Sequence, residues 1–194
     1  MSNSESNETL TRMGPGAAMG RVFRQFWQPA LLSEELPVAD CPPVRVRLMG
    51  EDFVAFRDSS GKVGLLDAHC PHRLADLFFG RNEEGGLRCV YHGWKFSVAG
   101  EILDMPSEPQ GSPMRCNPNL RAKAYPVREA GGIIWAYLGP QESMPALPDM
   151  EFMSLPPQNV HVSKCLMKCN YLQALEGSID TAHLTFLHHS MAPM

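Results

Sequence analysis

Two short cysteine-histidine pairs constrain this sequence more than any other feature. Cys70 and His72 are separated by one residue, Cys89 and His92 by two, and sixteen residues lie between the pairs. Two thiolates and two imidazoles make a soft four-ligand set for a metal centre. The pattern therefore predicts two ligand loops that the fold brings together around one metal site.

The mixed composition of each pair bears on which metal the loops hold. Zinc sites usually pair cysteine with cysteine and histidine with histidine in each half. Mixed pairs suit a [2Fe-2S] cluster, in which the thiolates hold one iron and the imidazoles the other. Such a cluster is neutral when both irons are ferric, so it is easier to reduce than an all-thiolate cluster. The pattern predicts one-electron transfer, with a zinc site as the alternative.

The composition describes a globular chain without a nucleic-acid or membrane signal. The 194 residues carry a net charge of −4, and 44% of them are hydrophobic. Positive charges are interleaved with acids, which argues against a nucleic-acid or anionic-membrane surface. No apolar run reaches the roughly 20 residues of a membrane span, and the polar N-terminus does not resemble a signal peptide. We therefore expect a cytoplasmic protein.

Four further cysteines lie outside the ligand pattern. Without a secretion signal they are expected to be thiols rather than disulfides. Cys165 and Cys169 lie in a mostly apolar run, so we interpret them as buried free thiols rather than a metal pair.

Hydrophobic periodicity divides the chain into units. A polar, loosely attached arm with one short helix precedes short alternating strands separated by turns, which predict an antiparallel β-domain. A proline-rich connector follows, and the last unit opens with a strand over 160–167 and a helix from Tyr171. The expected boundaries of the units are 1–34, 35–138, 139–158 and 159–194.

A second group of acidic and imidazole residues lies near the C-terminus. Glu176, Asp180 and His183 recur at helical intervals, opposite an apolar stripe. A surface amphipathic helix would show the same pattern. His188 follows His183 by five residues, which is about 140° around an ideal helix. Both rings can bind one metal only if the helix ends or bulges between them.

These motifs resemble a known family. The two cysteine-histidine pairs with their spacing are similar to the Rieske domain of aromatic-ring-hydroxylating oxygenases. The segments LTRMGPGAAMG, NEEGGLRCVYHGWKF and LDMPSEP resemble the phthalate dioxygenase group of oxygenase components in particular. The segment from Glu176 to His188 resembles the start of the mononuclear iron site of that family.

The resemblance implies a mainly β Rieske domain, sandwich-like with a cluster-binding subdomain, followed by the start of an α+β catalytic domain at 159–194. The implied cofactors are the [2Fe-2S] cluster and a mononuclear Fe(II). His183 and His188 would bind the Fe(II), with His189 the weaker candidate for the second position. The third ligand, an aspartate, would lie beyond Met194, so we expect an N-terminal fragment without the full catalytic site.

The resemblance also implies roles and partners. Asp180 would link a cluster histidine of one subunit to an iron histidine of its neighbour, and Glu176 would support that network. An NAD(P)H-dependent reductase would supply electrons for O2-dependent hydroxylation of an aromatic carboxylate, by dihydroxylation or by demethylation or ether cleavage. Transfer between subunits implies a homo-oligomer. The alternative is a Rieske ferredoxin-type electron carrier, which needs little beyond residues 35–138.

Overall fold

β-Strands dominate the structure, a computed structural model that describes residues 4–188. The helices in this range are α1 (Ser4–Thr11), α2 (Ala18–Phe23), α3 (Glu151–Ser154), α4 (Tyr171–Ile179) and α5 (Leu184–Leu187). The strands are β1 (Trp27–Leu32), β2 (Val44–Leu48), β3 (Glu51–Arg57), β4 (Val63–Asp67), β5 (Arg81–Glu83), β6 (Gly86–Arg88), β7 (Lys95–Phe96), β8 (Ile102–Asp104), β9 (Ala124–Tyr125), β10 (Val127–Ala130) and β11 (Ile133–Tyr137).

Within the described residues the strands form three antiparallel sheets. Sheet A has the order β1-β11-β10, sheet B the order β2-β3-β4-β9, and sheet C the order β5-β6-β7-β8. Neighbouring strands in sheets B and C mostly follow one another in the chain, as short strands joined by tight turns require. The predicted antiparallel, mainly β fold is confirmed.

Strand β3 is buried on both faces, which makes sheet B the middle layer. Successive side chains of a strand point to opposite faces. Phe53 and Ala55 pack with residues of sheet A such as Ile134. Val54 and Phe56 instead pack in the core that contains the ligand cysteines and the apolar side chains of sheet C. Burying each large side chain contributes about 1.5–3 kcal/mol to the free energy of unfolding, so both cores depend on this strand.

A tight backbone approach at Gly100 gives a stability prediction. Gly100 has a φ of 80°, and Ala122 N–H donates to its carbonyl oxygen (2.9 Å). A Cβ on Gly100 would overlap the carbonyl oxygen of Ala122. Gly100→Ala should therefore lower the free energy of unfolding, measured by urea denaturation, by about 2–4 kcal/mol.

Gly61→Ala is the matched control for Gly100→Ala. Gly61 has a φ of 84° but no atom within 4 Å of an added Cβ. In Gly61→Ala the free energy of unfolding should fall only by the roughly 1–2 kcal/mol that an alanine costs in a left-handed conformation. Equal losses at both positions would show that the approach to Ala122 is harmless.

The N-terminal segment is better held than the predicted loose arm. Side chains from the start of α4 bind the carbonyl groups at the C-terminal end of α1. Asn170 Nδ2 donates to Thr11 O (2.8 Å) and Tyr171 Oη donates to Leu10 O (2.6 Å). These contacts satisfy carbonyl groups that a helix end otherwise leaves without partners. The polar sequence of α1 gives no sign of them, because the donors lie far along the chain.

Three further local predictions differ from the structure. Strand β1 lies inside the predicted arm 1–34 and pairs with β11, with an irregularity after Pro29. The strand predicted over 160–167 is wrong, because no neighbouring strand among the described residues supplies its hydrogen bonds. Cys165 and Cys169 are free but exposed, so their predicted burial is wrong. The helix expected from Tyr171 is confirmed as α4.

The helices among residues 4–188 lack the length and apolar character needed to cross a membrane.

Candidate functional site

The first ligand loop follows β4 and is closed by two backbone hydrogen bonds. Cys70 N–H donates to Ala75 O (2.9 Å), and Leu74 N–H donates to Cys70 O (2.9 Å). Leu74 has a φ of 56°, a left-handed conformation that few residues other than glycine adopt. The loop thus holds a strained position two residues after His72, as functional sites often do.

The second ligand loop follows β6 and repeats this backbone arrangement. Cys89 N–H donates to Trp94 O (2.8 Å), and Gly93 N–H donates to Cys89 O (3.1 Å). Gly93 has a φ of 76°, which glycine adopts without strain. Each loop therefore carries a cysteine at its base and a histidine in its turn.

The fold sorts the four ligand side chains by type. Cys70 and Cys89 are each 2% exposed, and both lie in the same buried core. His72 and His92 are half-buried, with ring centroids 4.6 Å apart. A thiol pair therefore lies in the core, and an imidazole pair lies beside it nearer the surface.

Burial shifts the pKa values of two of the predicted ligands. Burial raises the pKa of the Cys70 thiol to about 11, and the adjacent Cys89 acts in the same direction. Burial, and next the neighbouring His92, lower the pKa of His72. Without a metal the Cys70 thiol holds its proton, and the lowered pKa of His72 favours its neutral ring. A metal that replaces the thiol protons would bind two thiolates and neutral imidazole.

His72 also carries an orphaned polar atom. Its Nδ1 is buried and has no hydrogen-bond partner among the described residues. Buried ring nitrogens are normally paired, and ligation to a metal would satisfy this one. Two buried thiols and two imidazoles, one of which has this unpaired nitrogen, fit a [2Fe-2S] cluster. The separation of thiols from imidazoles favours two irons over the zinc alternative.

Aromatic side chains fix the histidine rings. The Trp94 ring is stacked on the His72 ring, with centroids 4.3 Å apart and an interplanar angle of 1°. Trp94 is 1% exposed, and its Nε1–H donates to Ser107 Oγ (3.3 Å). Tyr91 lies 3.9 Å from His92 between ring centroids. Trp94 thus joins the core to a ligand ring.

The second predicted group lies where α4 ends. Asn170 caps the start of α4 by accepting a hydrogen bond from Leu172 N–H (3.0 Å). The helix ends at Ile179 and Asp180 is extended. The one-turn helix α5 then separates His183 from His188. The chain thus has the helix end that the five-residue spacing of the histidines requires.

Asp180, His183 and His188 lie close together. His183 Nδ1–H donates to Asp180 Oδ2 (2.9 Å), and Ala182 N–H donates to Asp180 Oδ1 (2.8 Å). The Ala182 N–H, followed by the His183 ring, lowers the pKa of Asp180. The rings of His183 and His188 have centroids 5.4 Å apart. No group of three potential ligands around one metal ion occurs in residues 4–188.

Glu176 does not join this group in the structure. Its side chain is exposed, and its backbone carbonyl accepts a hydrogen bond from Asp180 N–H (3.1 Å). The role assigned to its carboxylate stays a prediction. His189, the alternative ligand, lies outside the described residues.

Sequence reasoning missed Arg88, which precedes the ligand Cys89. Its side chain is 12% exposed and lies within hydrogen-bond distance of acidic side chains on two other strands. A charged residue directly before a buried ligand was the available signal, because buried charges need partners.

Comparisons with known proteins agree with the geometry. Residues 26–126 match the model of the Rieske [2Fe-2S] domain, and residues 136–194 match that of the LigXa C-terminal domain like family. The 3-chlorobenzoate-3,4-dioxygenase oxygenase subunit of Comamonas testosteroni is 49% identical over 97% of this chain and 43% of its own length. The phthalate 4,5-dioxygenase oxygenase subunit of Pseudomonas putida is 45% identical over 98% of this chain and 43% of its own.

A solved structure shows the same fold. Dicamba monooxygenase bound to 3,6-dichlorosalicylic acid has a TM-score of 0.71 and 26% identity, over 86% of this chain and 47% of that one. This chain therefore spans less than half the length of the relatives it matches. The resemblance to the phthalate dioxygenase group is confirmed.

Proposed function

The chain belongs to the Rieske [2Fe-2S] family, and from that premise we propose that it is the electron-accepting part of a terminal oxygenase component. The buried thiol pair beside an imidazole pair, with an unpaired Nδ1 on His72, is the observation that supports this proposal most directly. When bound, the cluster would accept and release one electron at a time.

The protein's own contribution at this site is to separate two environments. Cys70 and Cys89 lie in the core, where water is excluded from their sulfur atoms. The half-buried rings of His72 and His92 lie toward the surface. Electrons would therefore enter and leave on the histidine side.

A second metal site would use the C-terminal histidines. His183 gives its Nδ1–H to Asp180, so its Nε2 is free for a metal, as in sites where a carboxylate orients a ligand histidine. His188 lies next to that ring. Mononuclear Fe(II) on these rings would supply the chemistry of O2, and the third ligand expected from the resemblance would complete a facial triad.

The names of the relatives support our proposal for the substrate and partners. Both curated relatives above are named for aromatic carboxylates and as oxygenase subunits. We infer that the substrate is an aromatic carboxylate, and that the reaction is a dihydroxylation, a demethylation or the cleavage of an ether bond. We also infer that an NAD(P)H-dependent reductase supplies the electrons, and that the protein is a homo-oligomer in the cytoplasm. A ferredoxin-type carrier would account only for the Rieske domain, whereas the similarity to an oxygenase subunit covers 97% of the chain.

The first test is spectroscopic. The chain purified without oxygen and reduced with dithionite should give a Rieske-type EPR signal, with two irons and two acid-labile sulfides per chain. Zinc without sulfide would contradict the proposal and leave a structural metal site.

A further inference from the structure

The geometry points to Arg88 as a positioning residue that holds the second ligand loop in the conformation needed to bind the cluster. This inference rests on the proposed cluster site. Arg88 ends β6, so its backbone adjoins the ligand Cys89. Its guanidinium contacts the other end of the same loop.

Arg88 contacts the loop through a hydrogen bond to the backbone just after the second ligand pair. Arg88 Nη1 donates to Gly93 O (2.7 Å), and Gly93 directly follows the ligand His92. Gly93 N–H donates to Cys89 O (3.1 Å). Both polar groups of Gly93 are thus held, one by the ligand cysteine and one by Arg88. The backbone is therefore fixed on the C-terminal side of His92.

The guanidinium itself is anchored to two other strands of sheet C. Nη1 also donates to Asp104 Oδ2 on β8 (2.8 Å), and Nε donates to Glu83 Oε1 on β5 (2.6 Å). With 12% of its side chain exposed, Arg88 needs such partners, because an unpaired buried charge is strongly unfavourable. The anchored guanidinium transfers the rigidity of the sheet to the loop.

Lysine could not replace this arginine. Three acceptors lie around the guanidinium in different directions, and its planar fork supplies several fixed donors. A lysine ammonium is a point charge on a flexible chain, so it would keep the charge but not the geometry. Comparing Arg88→Lys with Arg88→Met therefore separates positioning from charge.

The test measures the cluster rather than turnover. Arg88→Lys and Arg88→Met should both broaden the EPR signal of the reduced protein and raise the rate of iron loss to a chelator by about tenfold or more, as for other residues that orient metal ligands. Arg81→Met is the matched control. Arg81 lies opposite Arg88 in the sheet and binds the same Glu83 (3.0 Å), but it is 61% exposed. It should leave both measurements unchanged.

Each other outcome is informative. If Arg88→Lys matches the unsubstituted protein in both measurements, the side chain acts through charge alone and the inference is wrong. If neither Arg88 variant folds, Asp104→Asn decides, because it weakens the anchor while Arg88 remains. If Asp104→Asn broadens the EPR signal and speeds iron loss, even by less than tenfold, the result supports a positioning role for Arg88. If Asp104→Asn changes neither measurement, Arg88 serves only the folding of the protein and the inference is wrong. Absence of a cluster in the unsubstituted protein would instead reject the proposed function.

Discussion

A Cys89→Ser chain is expected to lose the [2Fe-2S] cluster completely. The serine hydroxyl stays protonated where a thiolate is required, and Cys89 lies in a core with 2% exposure, so no other ligand can enter. Iron and acid-labile sulfide should fall to background, and the EPR signal of the reduced protein should disappear. The thermal midpoint should also fall, because cluster binding contributes to folding free energy.

Cys41→Ser provides a control for the buried hydroxyl. Cys41 is 7% exposed but belongs to the core between sheets A and B, on the other face of β3. It should keep full iron and sulfide content even if its thermal midpoint falls. A cluster that survives Cys89→Ser, or is lost equally in Cys41→Ser, would show that the ligand assignment is wrong.

Asp180→Asn is expected to slow electron transfer from the cluster to the mononuclear iron by about 10–100-fold. The amide can still accept the hydrogen bond of Ala182 N–H, but it turns its NH2 group toward His183. The Nδ1 of His183 must then accept a hydrogen bond, which moves its proton to Nε2, the nitrogen needed for the metal. The bridge between subunits that the resemblance implies for the Asp180 carboxylate would be lost as well.

The measurement uses an oxygenase subunit of the relatives' full length that carries these residues. Its reduced cluster is mixed with O2 and substrate, and reoxidation is followed in one turnover. The EPR signal of the cluster should stay unchanged. Asp149→Asn, which removes an exposed carboxylate in the connector, is the control. Reoxidation of Asp180→Asn at the unsubstituted rate would remove Asp180 from the electron path.

The predictions from sequence are accurate where the information is local. The run VRVRL alternates apolar and charged residues, which predicts a strand from its own sequence, and β2 is observed at Val44–Leu48. Strand β1 was missed because its sequence, WQPALL, does not alternate and contains a proline. Its conformation comes from pairing with β11, far along the chain. Helix α1 was missed for the same kind of reason, since distant side chains complete it.

In the candidate site, too, the local features could be predicted from the sequence and the long-range contacts could not. The spacing of Cys70, His72, Cys89 and His92 is enough to predict the ligands, because the chemistry of a metal site limits the residue types. The separation of thiols from imidazoles and the contacts of Arg88 depend on how β4, β6 and β8 lie together. Neither can be read from spacing alone.

The two-sided burial of β3 limits how this chain can change in evolution. Interiors are close-packed, and the four central residues of β3, 53–56, are all buried, so they have no solvent-facing side into which they could move. A larger residue at Ala55, on the side of sheet A, would push the strand toward the cysteines through Val54 and Phe56. Substitutions in β1 and β11 are therefore constrained by the redox centre on the opposite side of the sheet. The N-terminal strand and the metal loops have to diverge together, although more than forty residues of sequence separate Trp27 from Cys70.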